Sequence, residues 1–248
     1  MSGTSNVVNL QGLKVVVFPG NGSISAESRQ AYDEAYATWK LVWKQTLLEL
    51  DGNANLFSDH FTRQDYIVAL YHGLQCIALC CFRRADLARA SDREDSWFKP
   101  WPEEALQMFG SESRSGVALS WLTIHPDYRR SVSLDHLKEF SASDRLCELI
   151  NLFLQDCKMD LAFGVTRNNR SVNKMSEYVG FKTYRANAQH HGIAVDLITL
   201  GPDDLKAAEL KYPAVAFELW SKRTLITSEP LQLSSQATQA NRKLRVAG

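Results

Sequence analysis

Short apolar runs alternate along this chain with stretches whose apolar residues recur every three or four positions, so strands and amphipathic helices are both expected. Leu13 to Phe18 (LKVVVF) is a β-branched run and predicts a strand, closed by a turn at Pro19 to Gly22. Ser25 is an N-cap candidate for a helix reaching about Leu50 and ended by Asp51-Gly52. On that helix Tyr32, Tyr36, Trp39 and Trp43 follow one another at steps of four, three and four, which sets them on one face. Such a stripe faces a core, and Tyr36, Trp39 and Trp43 can at the same time wall a substrate pocket.

Tyr66 to Phe82 predicts a hairpin about His72-Gly73, its second strand so evenly apolar that it belongs in the middle of a sheet. Arg83 to Ser115 is polar, charged and dotted with tryptophan, and reads as a long, partly ordered excursion of the kind that borders a substrate site. Val117 to Ile124 is the next strand, followed by a turn at Pro126. Ser143 and Asp144 read as caps for the helix RLCELINLFLQDC, which buries Leu146, Leu149, Ile150, Phe153 and Leu154. Leu161 to Val165 is a strand, and a basic, amide-rich turn from Thr166 to Arg170 leads into a short helix stopped by Gly180. Strands are expected at Phe181 to Ala186 and Ile193 to Leu200, with NAQHHG as the loop between them. Helices follow at Pro202 to Leu210 and Ala214 to Trp220. From about Ser228 the chain is Ser-, Gln- and Ala-rich without aromatics, which predicts a mobile tail.

Composition narrows the function classes. With 28 basic and 28 acidic residues the formal charge is zero, so no global field points to nucleic acid or an anionic membrane as partner. Five cysteines, odd in number and set in apolar runs without C-x-x-C spacing, read as reduced buried thiols in a cytoplasmic protein. The first ten residues lack a basic segment followed by an apolar one, so no secretory signal is expected, and no run approaches the roughly 18 apolar residues of a membrane span. The turn PGNG lacks the third glycine of a dinucleotide loop and reads as a turn plus N-cap. The histidines show no ligand spacing, so no metal site is expected.

Two segments carry a family resemblance. NRSVNKMSEYVGF (Asn169 to Phe181) follows an apolar strand, and its Asn169 and Gly180-Phe181 keep the spacing of the segment that closes the acyl-donor site of the GNAT N-acyltransferase superfamily. Upstream, LSWLTIHPDYRR (Leu119 to Arg130) resembles the strand and turn that hold the donor there. The resemblance spans roughly Gln64 to Leu200. It implies an α/β (α+β) fold: a central, mixed, mostly antiparallel sheet, splayed in the middle and flanked by helices. One acyltransferase-like domain is expected over residues 1–227, with its core at about 13–200, a helical extension at 201–227 and a tail at 228–248.

The superfamily's phosphate turn, R-G-x-G-x-G/A, is matched here by Arg129-Arg130-Ser131-Val132-Ser133-Leu134, without the glycines. An insertion, SVSLDHLKEF, is inferred, with the helix start displaced to Ser141-Ala142-Ser143. Ile124, Arg129, Arg130, Ser141, Ser143 and Asn169 are thereby implied as donor contacts, with Arg145 a further helper. Relaxed glycines resemble the N-acyl amino acid synthases and acyl-homoserine lactone synthases, whose acyl carrier protein donor presents one phosphate rather than a pyrophosphate. No permanently bound cofactor is implied. The co-substrate is acyl-CoA or the phosphopantetheine of acyl carrier protein, the acceptor a small-molecule amine such as an amino acid.

A bulged strand in this superfamily offers a backbone N–H to the thioester carbonyl, a role that falls on Leu122 or Thr123. The usual strand glutamate is absent from VALSWLTI, and Ser176 stands where a tyrosine acid is common. Tyr178 lies about 200° around the helix from that position, and the remaining acid-base candidates are His190, His191 and Asp196. These losses also fit a non-catalytic acyl- or CoA-binding protein that kept the fold.

Overall fold

The structure, a computed structural model, describes residue 10 and residues 12–20, 22–53, 55–112, 115–130, 132–134, 137–168, 171–190 and 192–226. The expected tail, like Asn169, Arg170 and His191, lies outside these described residues.

The first strand, β1 (Leu13–Phe18), leads into α1 (Ala26–Asp51), which ends where Gly52 takes a left-handed φ of 64°. A one-turn helix, α2 (Asp59–Thr62), precedes the hairpin of β2 (Tyr66–His72) and β3 (Gln75–Asp86), whose turn places Gly73 at φ 60°. Both hairpin strands are buried almost throughout, as their unbroken apolar runs require of central strands. The segment expected to be a partly ordered excursion is instead structured: α3 (Ala90–Arg93), a 3-10 turn at Ser96–Phe98 and α4 (Glu103–Ser111). Its scattered Leu87, Phe98, Trp101, Leu106 and Phe109 converge on Phe163 and Leu197 in a small core, which orders the segment.

β4 (Ser115–Ile124) follows, then a 3-10 turn at Pro126–Tyr128 and a small hairpin of β5 (Val132–Leu134) and β6 (Leu137–Phe140). That hairpin is the inferred insertion. The long helix α5 (Ala142–Cys157) starts behind it, its N-cap at Ser141 rather than Ser143. β7 (Leu161–Arg167), α6 (Val172–Val179), β8 (Lys182–His190) and β9 (Ile193–Leu200) come next. β8 is longer than expected, because two register shifts let the polar stretch NAQH remain in the ladder, with Asn187 at φ 56°. The chain continues through α7 (Pro202–Ala207), shorter than expected, and α8 (Pro213–Ser221) to β10 (Thr224–Leu225).

The main sheet has eight strands in the order β10-β1-β2-β3-β4-β7-β9-β8. Only β10–β1 and β4–β7 are parallel pairs. One face, here the near face, carries α1 and α2 over β1 to β4, and α4 over β7 and β9. The far face carries α5, α7 and α8, with Leu146, Leu149, Ile150 and Phe153 of α5 fully buried as its stripe predicted. Among the described residues no helix is long and apolar enough to cross a membrane.

Candidate active site

β4 and β7 pair only from Gly116 opposite Leu161 to Leu119 opposite Gly164. Beyond that point each keeps its outer neighbour, β4 with β3 as far as Ile124 and β7 with β9 as far as Arg167. A wedge therefore opens between the carboxyl halves of the two strands, bordered by strand edges without a ladder partner in each other. At the closed end the strands approach so tightly that a Cβ on Gly116 would lie 2.3 Å from the Phe163 ring. Glycine is required there.

At the open end β4 carries a bulge. Ser120 is the partner of Cys81 and Thr123 of Leu79, so Trp121 and Leu122 together oppose Cys80. Trp121 sits at φ 57°, a conformation that costs a bulky side chain about 1–3 kcal/mol and persists only where surroundings impose it. Here they do. Its ring meets Trp43 edge-on at 4.8 Å and Trp39 at 5.6 Å, and stacks on His60 at 5.4 Å. The Thr123 hydroxyl accepts from Trp43 Nε1 at 2.9 Å and donates to the Trp121 carbonyl at 2.6 Å. The aromatic face of α1 thus seats on the bulge: Trp39 is fully buried, while Tyr36 and Trp43 are half-buried.

On the far face Leu122 and Ile124 stay half-buried, packed against the core that Tyr128, Met175 and Tyr178 also border. Arg129 and Arg130 follow the 3-10 turn and are exposed. Ser141 Oγ accepts the Asp144 N–H at 3.2 Å, and its hydroxyl lies 3.0 Å from that of Ser143. Arg145, expected to reach a phosphate, is committed elsewhere. Its guanidinium pairs with the fully buried Glu148 and lies 3.9 Å above the Tyr212 ring.

Asn169 lies outside the described residues; Asn168 and Asn173 on either side of it are both bonded to β9. Asp196 on β9 accepts from the Asn187 N–H and Asn168 Nδ2, both at 2.9 Å, and from Asn173 Nδ2 at 3.4 Å. Burial pushes its carboxyl up, but these three donors outweigh burial and hold it below the usual value. With this many bonds Asp196 ties together Asn168, Asn173 and Asn187. His190 ends the edge strand β8, and β9 and β7 lie between it and β4, a separation of about 14 Å at ordinary strand spacing. The fold does not bring His190 to the bulge. His125 caps the 3-10 turn through Nδ1, which accepts the Asp127 N–H at 3.3 Å.

Sequence reasoning missed α2. His60 stacks on Trp121, and burial lowers its tendency to protonate, aided by Arg63 and opposed by Asp59. Gln64, almost fully buried, donates to the His60 carbonyl at 2.8 Å and accepts from the Ser120 hydroxyl at 3.2 Å. Gly20 allows this packing, since a Cβ there would lie 1.9 Å from the Gln64 carbonyl oxygen. Beside α2 a cavity of about 530 Å³ opens on the near face, lined by Arg63, Arg83, Asp95, Trp97, Phe98 and Ala118 among others. The one sequence signal was LFSDHF, aromatic and acidic residues just before the hairpin. The five cysteines are free and buried, and burial pushes the Cys147 thiol up to about 12, so it stays protonated.

No family model matches the sequence, and neither does any curated protein. Solved structures do match. FeeM, an N-acyl amino acid synthase from uncultured soil microbes, superposes with a TM-score of 0.52 at 10% identity, over 80% of this chain and 96% of that one. BjaI, a CoA-dependent acyl-homoserine lactone synthase solved with SAM and isopentyl-CoA, gives 0.51 at 11% identity, over 93% and 100%. An agmatine N-acetyltransferase mutant in its apo form gives 0.51 at 10% identity, over 76% and 99%. The strand order, the bulged β4 and the wedge beside β7, together with these superpositions, identify the architecture of this chain as the GNAT-like fold.

Proposed function

We propose that this chain is an N-acyltransferase, moving an acyl group from a phosphopantetheine thioester of acyl carrier protein or coenzyme A to the amine of a small molecule such as an amino acid. The observation that carries this reading is the wedge between β4 and β7, with the bulge on its β4 side. A pantetheine arm is extended and bears amides, so it can add to an open strand edge as a peptide does. Leu122 stands outside the β3 register, whereas Thr123 is a register partner of Leu79. The Leu122 N–H is therefore the group assigned to the thioester oxygen, and Thr123 the group that holds it in place.

As the amine attacks, a C–N bond forms and negative charge gathers on that oxygen, where a fixed N–H is worth most. The C–S bond then breaks, the thiolate leaves, and the proton shed by the amine ends on sulfur or in water. Ser141 and Ser143 open α5, whose N-terminal end favours a phosphate, and Arg129 and Arg130 add positive charge on the approach.

The test is thiol release from decanoyl-CoA and from decanoyl acyl carrier protein, each with a mixture of amino acids. Release that needs both protein and amine is expected with at least one donor. Donor-induced thermal stabilisation with no release from either would overturn the catalytic reading in favour of a binding protein.

A further inference from the structure

We infer that the near-face cavity beside α2 is the acceptor pocket, and that Arg63 selects acceptors carrying a carboxylate as well as the reacting amine. This rests on the acyltransferase reading.

The cavity walls hold four arginines and four aspartates, so they are formally neutral. Three of those arginines are engaged. Arg83 pairs with Asp95 at 2.6 Å, Arg84 with Asp65 at 3.7 Å, and Arg89 with Asp92 at 2.8 Å. Arg63 differs: among the described residues its guanidinium has no carboxylate within ion-pair distance, and its Nε is buried without a hydrogen-bond partner. A half-buried cation with one N–H shielded from water and unmatched is costly, and an arriving anion lowers that cost. The planar guanidinium suits a carboxylate, which it can grip through two parallel bonds. Trp97 and Phe98 supply an apolar flank for a side chain.

The cavity also lies where an acceptor is needed. Gln64, the residue after Arg63, accepts from the Ser120 hydroxyl, so the α2 end touches β4 beside the bulge. Ala118, which lines the cavity, precedes Ser120 by two residues on the same strand face, about 7 Å away. Held by its carboxylate at Arg63, an acceptor would point its amine along β4 towards the bulge, while the thioester enters through the wedge. A neutral pocket with one unanswered cation suits a molecule that presents its amine uncharged for attack and keeps its carboxylate.

The experiment compares each common L-amino acid with its carboxamide, in thermal-shift binding without donor and in thiol release with decanoyl-CoA. Wild type, Arg63→Gln and Arg63→Lys are used, each checked for folding by circular dichroism. At least one free acid should stabilise the wild type while its carboxamide does not, and the same acid should be preferred in turnover. Arg63→Gln should raise KM for that acid roughly tenfold to a hundredfold with kcat little changed, the size of a lost charged hydrogen bond. Arg63→Lys should recover part of it. Acid and amide bound or used alike, or Arg63→Gln indistinguishable from wild type, would overturn the inference. Selective binding without turnover would sustain the pocket and sink the acyltransferase reading, turnover without selectivity would do the reverse, and neither binding nor turnover would sink both.

Discussion

The indole of Trp43 donates to the hydroxyl of Thr123 across 2.9 Å, tying α1 to the strand residue just past the bulge. The same hydroxyl donates to the Trp121 carbonyl, so one buried oxygen fixes both the helix and the left-handed residue beside it. Thr123→Val keeps the shape and leaves an N–H and a carbonyl unanswered. It is expected to destabilise the protein by about 1–3 kcal/mol in urea unfolding, against much less for Thr123→Ser, which keeps the hydroxyl. If Leu122 polarises the thioester, Thr123→Val should also lower kcat more than KM changes.

Asp196 gives a pH signature. Its folded carboxyl lies below the ordinary aspartate value near 3.9, so ionised Asp196 contributes stability that is complete above about pH 4. That contribution is lost as pH falls through the folded value. Asp196→Asn should therefore show a shallower loss of stability than wild type between about pH 5 and pH 2, measured by thermal unfolding. Equal slopes would mean that the three amide donors exert no net pull.

The Arg145–Glu148 pair joins the first turn of α5 to the chain before α8, since Glu148 also accepts the Tyr212 N–H at 2.6 Å. Glu148→Ala leaves a guanidinium buried and unpaired and should cost about 3–5 kcal/mol in urea unfolding. Arg145→Met combined with Glu148→Leu should recover most of that loss. Additive losses would show that each residue acts separately.

Arg129 and Arg130 are exposed. Replacing both by alanine should leave stability within about 0.5 kcal/mol of wild type. It should reduce the rate with an acyl carrier protein donor several-fold more than with acyl-CoA. Equal reduction would remove the support that these two arginines give to a carrier-protein donor.

Much of the scaffold was legible because its periodicity is strong. The stripe from Tyr32 to Trp43 declares one side, the evenly apolar hairpin and the strand from Ile193 to Leu200 declare burial on both, and each lies where the pattern set it. The stop at Gly180 was equally plain, since its φ of 108° suits glycine. What stayed hidden depends on contacts far apart in sequence. Phe98, Trp101 and Phe109 looked like aromatics scattered among charges until Phe163 gathered them. β8 read as shorter because an exposed edge strand needs no apolar alternation, and its bulges break whatever period remains. The cavity draws charged residues from β3, from α3 and its flanks, and from the end of α2, and in sequence each looks like ordinary solvated surface. His60 failed a test of ligand spacing because its neighbour is a tryptophan ring sixty-one residues downstream, not another ligand.

The short seam between β4 and β7 has a further consequence. The sheet is in effect two leaves stitched along four residue pairs, and the stitching stops where Leu119 meets Gly164. A guest lying in the gap would supply the rungs that neither leaf can offer the other. Arrival of the guest and completion of the sheet would then be a single event, and the leaves would stiffen together only while it stays.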